Sequence, residues 1–167
     1  LIASETQLMR FDIETGAHIA AAAAGHACRV ALFVDAPAEE VRRVADHVDI
    51  DLLQFHGNEN QAYCGQFGLP YMKVHRVRDA VSAIALRDAF PDAACQMLDT
   101  YVPGQPGGTG RRFPWRHWPS DAAASGIKLV LAGGLSPDNV GAAVTELRPD
   151  AVDVSGGVED GLSLIHI

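Results

Sequence analysis

Short apolar runs recur along this chain at intervals of about twenty-odd residues, and that beat restricts the possible folds more than any other feature. RVALFVD begins at Arg29, LLQFHG at Leu52, YMKVHRV at Tyr71, CQMLDTYV at Cys95, KLVLAGG at Lys128 and AVDVSGG at Ala151. They are short and mostly apolar on both faces, as expected of parallel strands covered by helices. The intervening AEEVRRVADHV, NENQAYCGQFG, VSAIALRDAF, WRHWPSDAAASG and SPDNVGAAVTEL carry helical patterns. Ser136 and Pro137 are expected to open the last of these as cap and first helical residue. A further helix, roughly Glu14 to Ala24, precedes the first run.

Six strands alternating with five helices suit an open doubly wound sheet or a (β/α)₈ barrel. The spacing is that of TIM barrels, which need roughly 200–250 residues. A chain of 167 residues cannot close eight such units. The expected fold is therefore α/β, an incomplete (β/α)₈ TIM barrel of about six units, lacking the first strand region and the last helix. Residues 1–167 are read as one partial barrel domain. The stretch 160–167, ending in LSLIHI, is an atypical tail, and truncation is the favoured explanation of both ends.

Composition narrows the partners. Thirteen Lys and Arg against 21 Asp and Glu give a net charge of −8, which argues against nucleic acid, since a phosphate backbone calls for clustered basic residues. No apolar run reaches the roughly eighteen residues of a membrane span, and no basic stretch precedes a hydrophobic one at the start. The expected location is the cytoplasm, with no membrane partner. Cys28, Cys64 and Cys95 are odd in number and contain no C-x-x-C pair, so neither a disulfide framework nor a zinc site is indicated.

In a barrel the chemistry gathers at the C-terminal ends of strands, and the last two loops commonly grip phosphate. LAGGLSPDNV places Gly133 and Gly134 between a strand and a helix, where bare N–H groups can face an anion. VDVSGGVE offers Ser155, Gly156 and Gly157 after the next strand. Either pair alone equally suits a steric need for glycine at a turn; two in succession point to phosphate. His56 and His75 also lie at strand ends, but their spacing does not suggest a metal site. Lys73 has two readings, a Schiff-base nucleophile or a lysine paired with an acid. Asp99 ends the run CQMLD. It is either a turn or cap residue or a general acid, and in the second case Gly107, Gly108, Thr109 and Gly110 would form a lid that excludes water.

LLQFHGNE, MLDTYVPGQPGGTGRRFPW, LVLAGGLSPDNV and VDVSGGVE, in that order, closely resemble phosphoribosylanthranilate isomerases. RVALFVDAPAEEV and IETGAHIAAAA extend the likeness from about Glu14 to Glu159. The resemblance implies a (β/α)₈ enzyme of tryptophan biosynthesis that needs neither cofactor nor metal. Its small-molecule substrate would be N-(5-phosphoribosyl)anthranilate, converted by an Amadori rearrangement to the 1-deoxyribulose product. By resemblance, Asp99 is the general acid that protonates the furanose ring oxygen. Gly133, Gly134, Ser155 and Gly156 align with the phosphate cradle, and Asp153 with an acid that contacts substrate. Arg10 lies near the place of the family's arginine for the anthranilate carboxylate.

Two departures accompany the likeness. The family often has Ser-Ser-Gly where this chain has Ser155-Gly156-Gly157. Its general base is a cysteine in a Lys-[Ile/Val]-Cys-Gly motif on the first strand, and no such motif occurs in the 167 residues. Cys28 lies at the entry of a strand, the wrong end to replace it. Losing one member of an acid–base pair typically costs about two to four orders of magnitude in rate, so the chain alone is expected to be inactive. Unclosed sheet edges would also favour marginal stability and self-association. The alternatives are another phosphate-binding barrel enzyme, aldolase-like through Lys73, and a non-catalytic barrel fragment.

Overall fold

The computed structural model describes residues 2–3, 12–100, 113–160 and 163–164. Strands and helices alternate in it, and the strand pairings that link successive units are parallel. Two compact units divide the chain, one of residues 1–74 with 92–94 and one of residues 75–91 with 95–167. Among the described residues no helix is long and apolar enough to cross a membrane.

The first unit holds β1 (Ile2–Ala3), α1 (Ile13–Ala23), β2 (Val30–Phe33), α2 (Ala38–His47), β3 (Leu52–Phe55), α3 (Gln61–Cys64) and the start of β4 (Tyr71–Val77). Its strands run in parallel register: Ile2 lies opposite Leu32, Val30 opposite Leu52, and Leu53 opposite Tyr71. β1 is an addition to the six expected strands, because two residues are too few to display a period. Asp12 caps α1 by accepting the Thr15 N–H at 2.7 Å. α2 presents Val41 and Val44 to the core at helical spacing. Phe33, Phe55, Tyr63, Phe67 and Tyr71 form a chain of ring contacts centred on Phe55, with centroids 5.3–6.2 Å apart. NENQAYCGQFG is helical only over α3. Asn60 caps it, and a 3₁₀ turn at Gly65–Phe67 leads to Gly68 at φ 70°.

The second unit holds the end of β4, then α4 (Ala83–Ala89), β5 (Cys95–Thr100), α5 (Ala122–Ser125), β6 (Leu129–Leu131), α6 (Val140–Leu147) and β7 (Ala151–Val152). β8 (Glu159–Asp160) pairs antiparallel with β9 (Ser163–Leu164). The core is Val77, Leu98, Phe113, Leu131, Leu135 and Ala143, with Trp115, Trp118 and Val154 against it. Gln96 is buried at 1% exposure. Its Nε2 donates to the Leu86 and Phe90 carbonyls at the end of α4, and its Oε1 lies 2.8 Å from His75 Nε2.

Two expected helices are corrected. WRHWPSDAAASG is not continuous: a 3₁₀ turn at Trp115–His117 ends before Pro119, which holds Trp118 extended at ψ 135°, and α5 begins only at Ala122. The last helix runs from Val140 rather than from Pro137. A turn over Pro137–Asn139 leads into it, and the Val140 N–H bonds the Ser136 carbonyl at 3.0 Å.

Asp121 caps a neighbouring helix instead of its own. Its carboxylate accepts from Ser82 Oγ at 2.6 Å, the Ala83 N–H at 2.8 Å and the Ile84 N–H at 3.2 Å, at the N-terminus of α4. The Ser82 hydroxyl, then the Ala83 amide, hold this carboxyl down from its ordinary 3.8 to about 2. The folded state thus binds its proton later than the unfolded chain as pH falls. The resulting stability is complete above the ordinary value and is lost between 3.8 and about 2. In urea titrations, the midpoint of the parent should fall more steeply than that of Asp121→Asn as pH drops from about 4 to about 2. Equal slopes would mean that this cap contributes nothing.

Candidate functional site

Asp99 follows the buried Met97 and Leu98 and is itself 9% exposed. Leu98 packs in the core with Ala143 of α6. Strand alternation therefore turns Asp99 to the opposite face of the sheet. One carboxylate oxygen accepts the Thr100 N–H at 2.6 Å, which fixes the group at the strand tip.

Register brings the other expected residues to the same end. Leu98 lies opposite Leu131, and Leu131 opposite Val152. One residue further along, the Ala132 N–H bonds the Leu98 carbonyl at 2.9 Å and the Asp153 N–H bonds the Leu131 carbonyl at 2.8 Å. Asp99, Ala132 and Asp153 thus form the next row. At about 4.8 Å per strand, the two acidic residues stand about 10 Å apart across the sheet.

Beyond that row the backbone turns on Gly133 and Gly134, at φ 95° and 62°. Gly133 has two reasons to be glycine. Its φ strains any L side chain, and a Cβ there would run into Thr100 Oγ1, lie 2.9 Å from the Thr100 nitrogen and 3.0 Å from Asp99 Oδ1. The turn therefore lies directly against the carboxylate. Gly157 makes the corresponding approach one unit on, where a Cβ would collide with the Leu135 carbonyl oxygen. Between these glycines, Ser155 and Gly156 are exposed, and the Ser155 carbonyl accepts the Val158 N–H at 3.0 Å in a 3₁₀ turn. Among the described residues, the N–H groups of Gly134 and Leu135 have no protein partner. What results is a carboxylate beside two successive glycine turns, with Ser155 and Gly156 exposed at the second. Such a site can hold an anion on main-chain amides and exchange a proton close by.

Arg10 and the loop residues Gly107, Gly108, Thr109 and Gly110 lie outside the described residues. Cys28 is exposed and precedes Val30, the first residue of β2, at the strand's N-terminal end. Lys73 is 4% exposed. Its Nζ donates to Glu59 Oε2 and the Gly57 carbonyl, both at 2.8 Å, and to the Phe55 carbonyl at 3.5 Å. An ammonium group donating three hydrogen bonds has no lone pair for attack on a carbonyl, so the aldolase reading of Lys73 is not favoured. Among the described residues, no group of three His, Cys, Asp or Glu could hold a metal ion. Thr100 and Asn139 also stand beside the site, and no sequence pattern marks either. Thr100 belongs to the tip of an apolar run, and Asn139 lies within an expected helix start.

A family profile described as N-(5'-phosphoribosyl)anthranilate (PRA) isomerase matches residues 5–162. Relatives bearing the name N-(5'-phosphoribosyl)anthranilate isomerase include one from Alcanivorax borkumensis, 49% identical over 130 residues, which covers 78% of this chain and 58% of that protein. One from Pseudomonas aeruginosa is 47% identical over 148 residues, covering 89% of this chain and 69% of the relative. The chain thus spans less than two thirds of the first relative's length. The crystal structure of phosphoribosyl anthranilate isomerase from Thermus thermophilus superimposes with a TM-score of 0.82 at 28% identity, over 98% of this chain and 78% of its own. A second isomerase structure, in complex with reduced 1-(o-carboxyphenylamino)-1-deoxyribulose 5-phosphate, gives 0.73 at 27% identity, over 92% and 73% of the two chains. With a profile that spans nearly its whole length and relatives close to half identical, the chain belongs to the phosphoribosylanthranilate isomerase family.

Proposed function

We propose that this chain carries the general-acid and phosphate-binding part of a phosphoribosylanthranilate isomerase, acting in the cytoplasm on N-(5-phosphoribosyl)anthranilate in tryptophan biosynthesis. One observation carries the reading: Gly133 abuts Asp99, and Gly157 abuts Leu135. The carboxylate and both glycine turns are therefore contiguous at the ends of β5, β6 and β7. The sugar phosphate is held by the amides of the two turns with the Ser155 hydroxyl, which sets the furanose beside Asp99.

Asp99 gives its proton to the ring oxygen as the bond from that oxygen to C1 breaks, and the anilino nitrogen takes up the positive charge as an iminium ion. Removal of the C2 proton by a base yields an enolamine, and protonation at C1 with loss of the proton on the C2 hydroxyl then leaves the ketose. No atom is gained or lost overall. Asp153, about 10 Å from Asp99 across the sheet, is the second acidic residue facing the substrate. In the family the base is a cysteine of a Lys-[Ile/Val]-Cys-Gly segment, and the 167 residues do not include one.

The test is a crystal soaked with the reduced product analogue bound by the structural neighbour. Its phosphate is expected within hydrogen-bond distance of the Gly134 and Gly156 amides, with the sugar against Asp99. A phosphate bound away from both glycine turns would overturn the assignment.

A further inference from the structure

Asn139 is 8% exposed, and its carboxamide is engaged at both ends. Oδ1 accepts the Ser136 N–H at 3.1 Å, and Nδ2 donates to the Gly134 carbonyl at 2.9 Å. The residue's own backbone is anchored in the first turn of α6, since its N–H bonds the Ser136 carbonyl at 3.1 Å and its carbonyl accepts the Ala143 N–H at 3.0 Å. The side chain therefore reaches back from a fixed helix start onto the glycine turn.

A trans peptide has its C=O and the following N–H on opposite sides. The Gly133 carbonyl is held by the Phe113 N–H at 3.0 Å, which orients the Gly134 N–H. The Gly134 carbonyl is held by the buried Asn139, which across the trans peptide points the Leu135 N–H away from the Asn139 carboxamide. Gly134, at φ 62° and without a Cβ, offers little resistance of its own to rotation of that peptide. A flipped peptide would present a carbonyl oxygen to the anion in place of an amide.

We infer that Asn139 is a positioning residue for phosphate recognition: it locks the Gly134–Leu135 peptide so that the Leu135 amide joins the glycine amides in binding a phosphate monoester. The inference rests on the phosphate site proposed above and adds to it a ligand, the Leu135 N–H, and the side chain that aims it. Asn139 itself does not touch the phosphate.

The experiment is a titration of the ¹⁵N-labelled 167-residue chain with inorganic phosphate, followed by amide NMR in the parent, Asn139→Ala and Asn139→Leu. In the parent, the Gly134, Leu135 and Asn139 carboxamide signals should move together with one apparent Kd. In the variants, affinity should fall by about tenfold or more. The Leu135 signal should cease to follow phosphate, while the Leu98 and Leu131 strand amides keep their positions. An affinity within about twofold of the parent would overturn the role of Asn139 and leave the phosphate site standing. Glycine-turn signals that ignore phosphate in the parent would overturn both. If neither variant folds, the parent alone decides: a carboxamide signal that stays still while Gly134 moves overturns the inference.

Discussion

Asp99→Asn, introduced into this chain joined to a first strand bearing the family's Lys-[Ile/Val]-Cys-Gly segment, is expected to lower kcat by about two to four orders of magnitude. The substitution preserves volume, and the amide oxygen can still accept the Thr100 N–H that holds the group at 2.6 Å. What it removes is the proton passed to the ring oxygen. Phosphate contacts are made by other groups, so KM should change little, the pattern of an interaction that matters only in the transition state. Asp99→Glu is a stricter test of position. It keeps the acid but moves it by about one methylene, in a site where Gly133 leaves no slack against the carboxylate, and misplacement of about 1 Å can cost about a hundredfold. Steady-state kinetics on N-(5-phosphoribosyl)anthranilate would check both. If kcat of Asp99→Asn stays within a few-fold of the extended parent, Asp99 is not the acid.

The parts of this fold that could be read from the sequence are those where a local pattern has one cause. Leu129–Leu131 is apolar throughout and Leu52–Phe55 in all but Gln54, because helices or core cover both faces, and such runs stand out. Asp99 stands out because a carboxylate at the end of such a run breaks the pattern. The failures lie where tertiary contact decides. Pro119 cuts a helix whose flanks look helical, since its effect falls on the residue before it. Gly133 reads as a glycine of any turn. Its second constraint, the wall formed by Asp99 and Thr100, comes from a strand more than thirty residues away. Asn139 reads as part of a helix start because the carboxamide's reach back to Gly134 depends on a turn that sequence does not reveal. Lys73 has two sequence readings for the same reason, as its meaning depends on where Glu59 lies.

That pairing gives the second large expectation. Lys73→Met should destabilise the fold by about 3–5 kcal/mol, because it leaves an uncompensated carboxylate in the interior. The side chains of Lys73 and Glu59 are 5% and 3% exposed and meet at 2.8 Å. Glu59 also accepts the Asp35 N–H at 2.7 Å and the Gly57 N–H at 2.9 Å, so it ties the ends of β2 and β3 to the lysine on β4. Those two amides remain after Lys73→Met and stabilise the anion in part, but neither supplies a countercharge. Adding Glu59→Gln removes the stranded charge while keeping an oxygen for one of the amides. The double variant should therefore be more stable than Lys73→Met alone, even though it carries one more substitution. Urea denaturation of the parent, both single variants and the double variant measures this as a coupling energy. A near-additive cycle, with coupling below about 0.5 kcal/mol, would mean that the two charges do not depend on each other and that the ends of β2 and β3 are organised by backbone contacts alone.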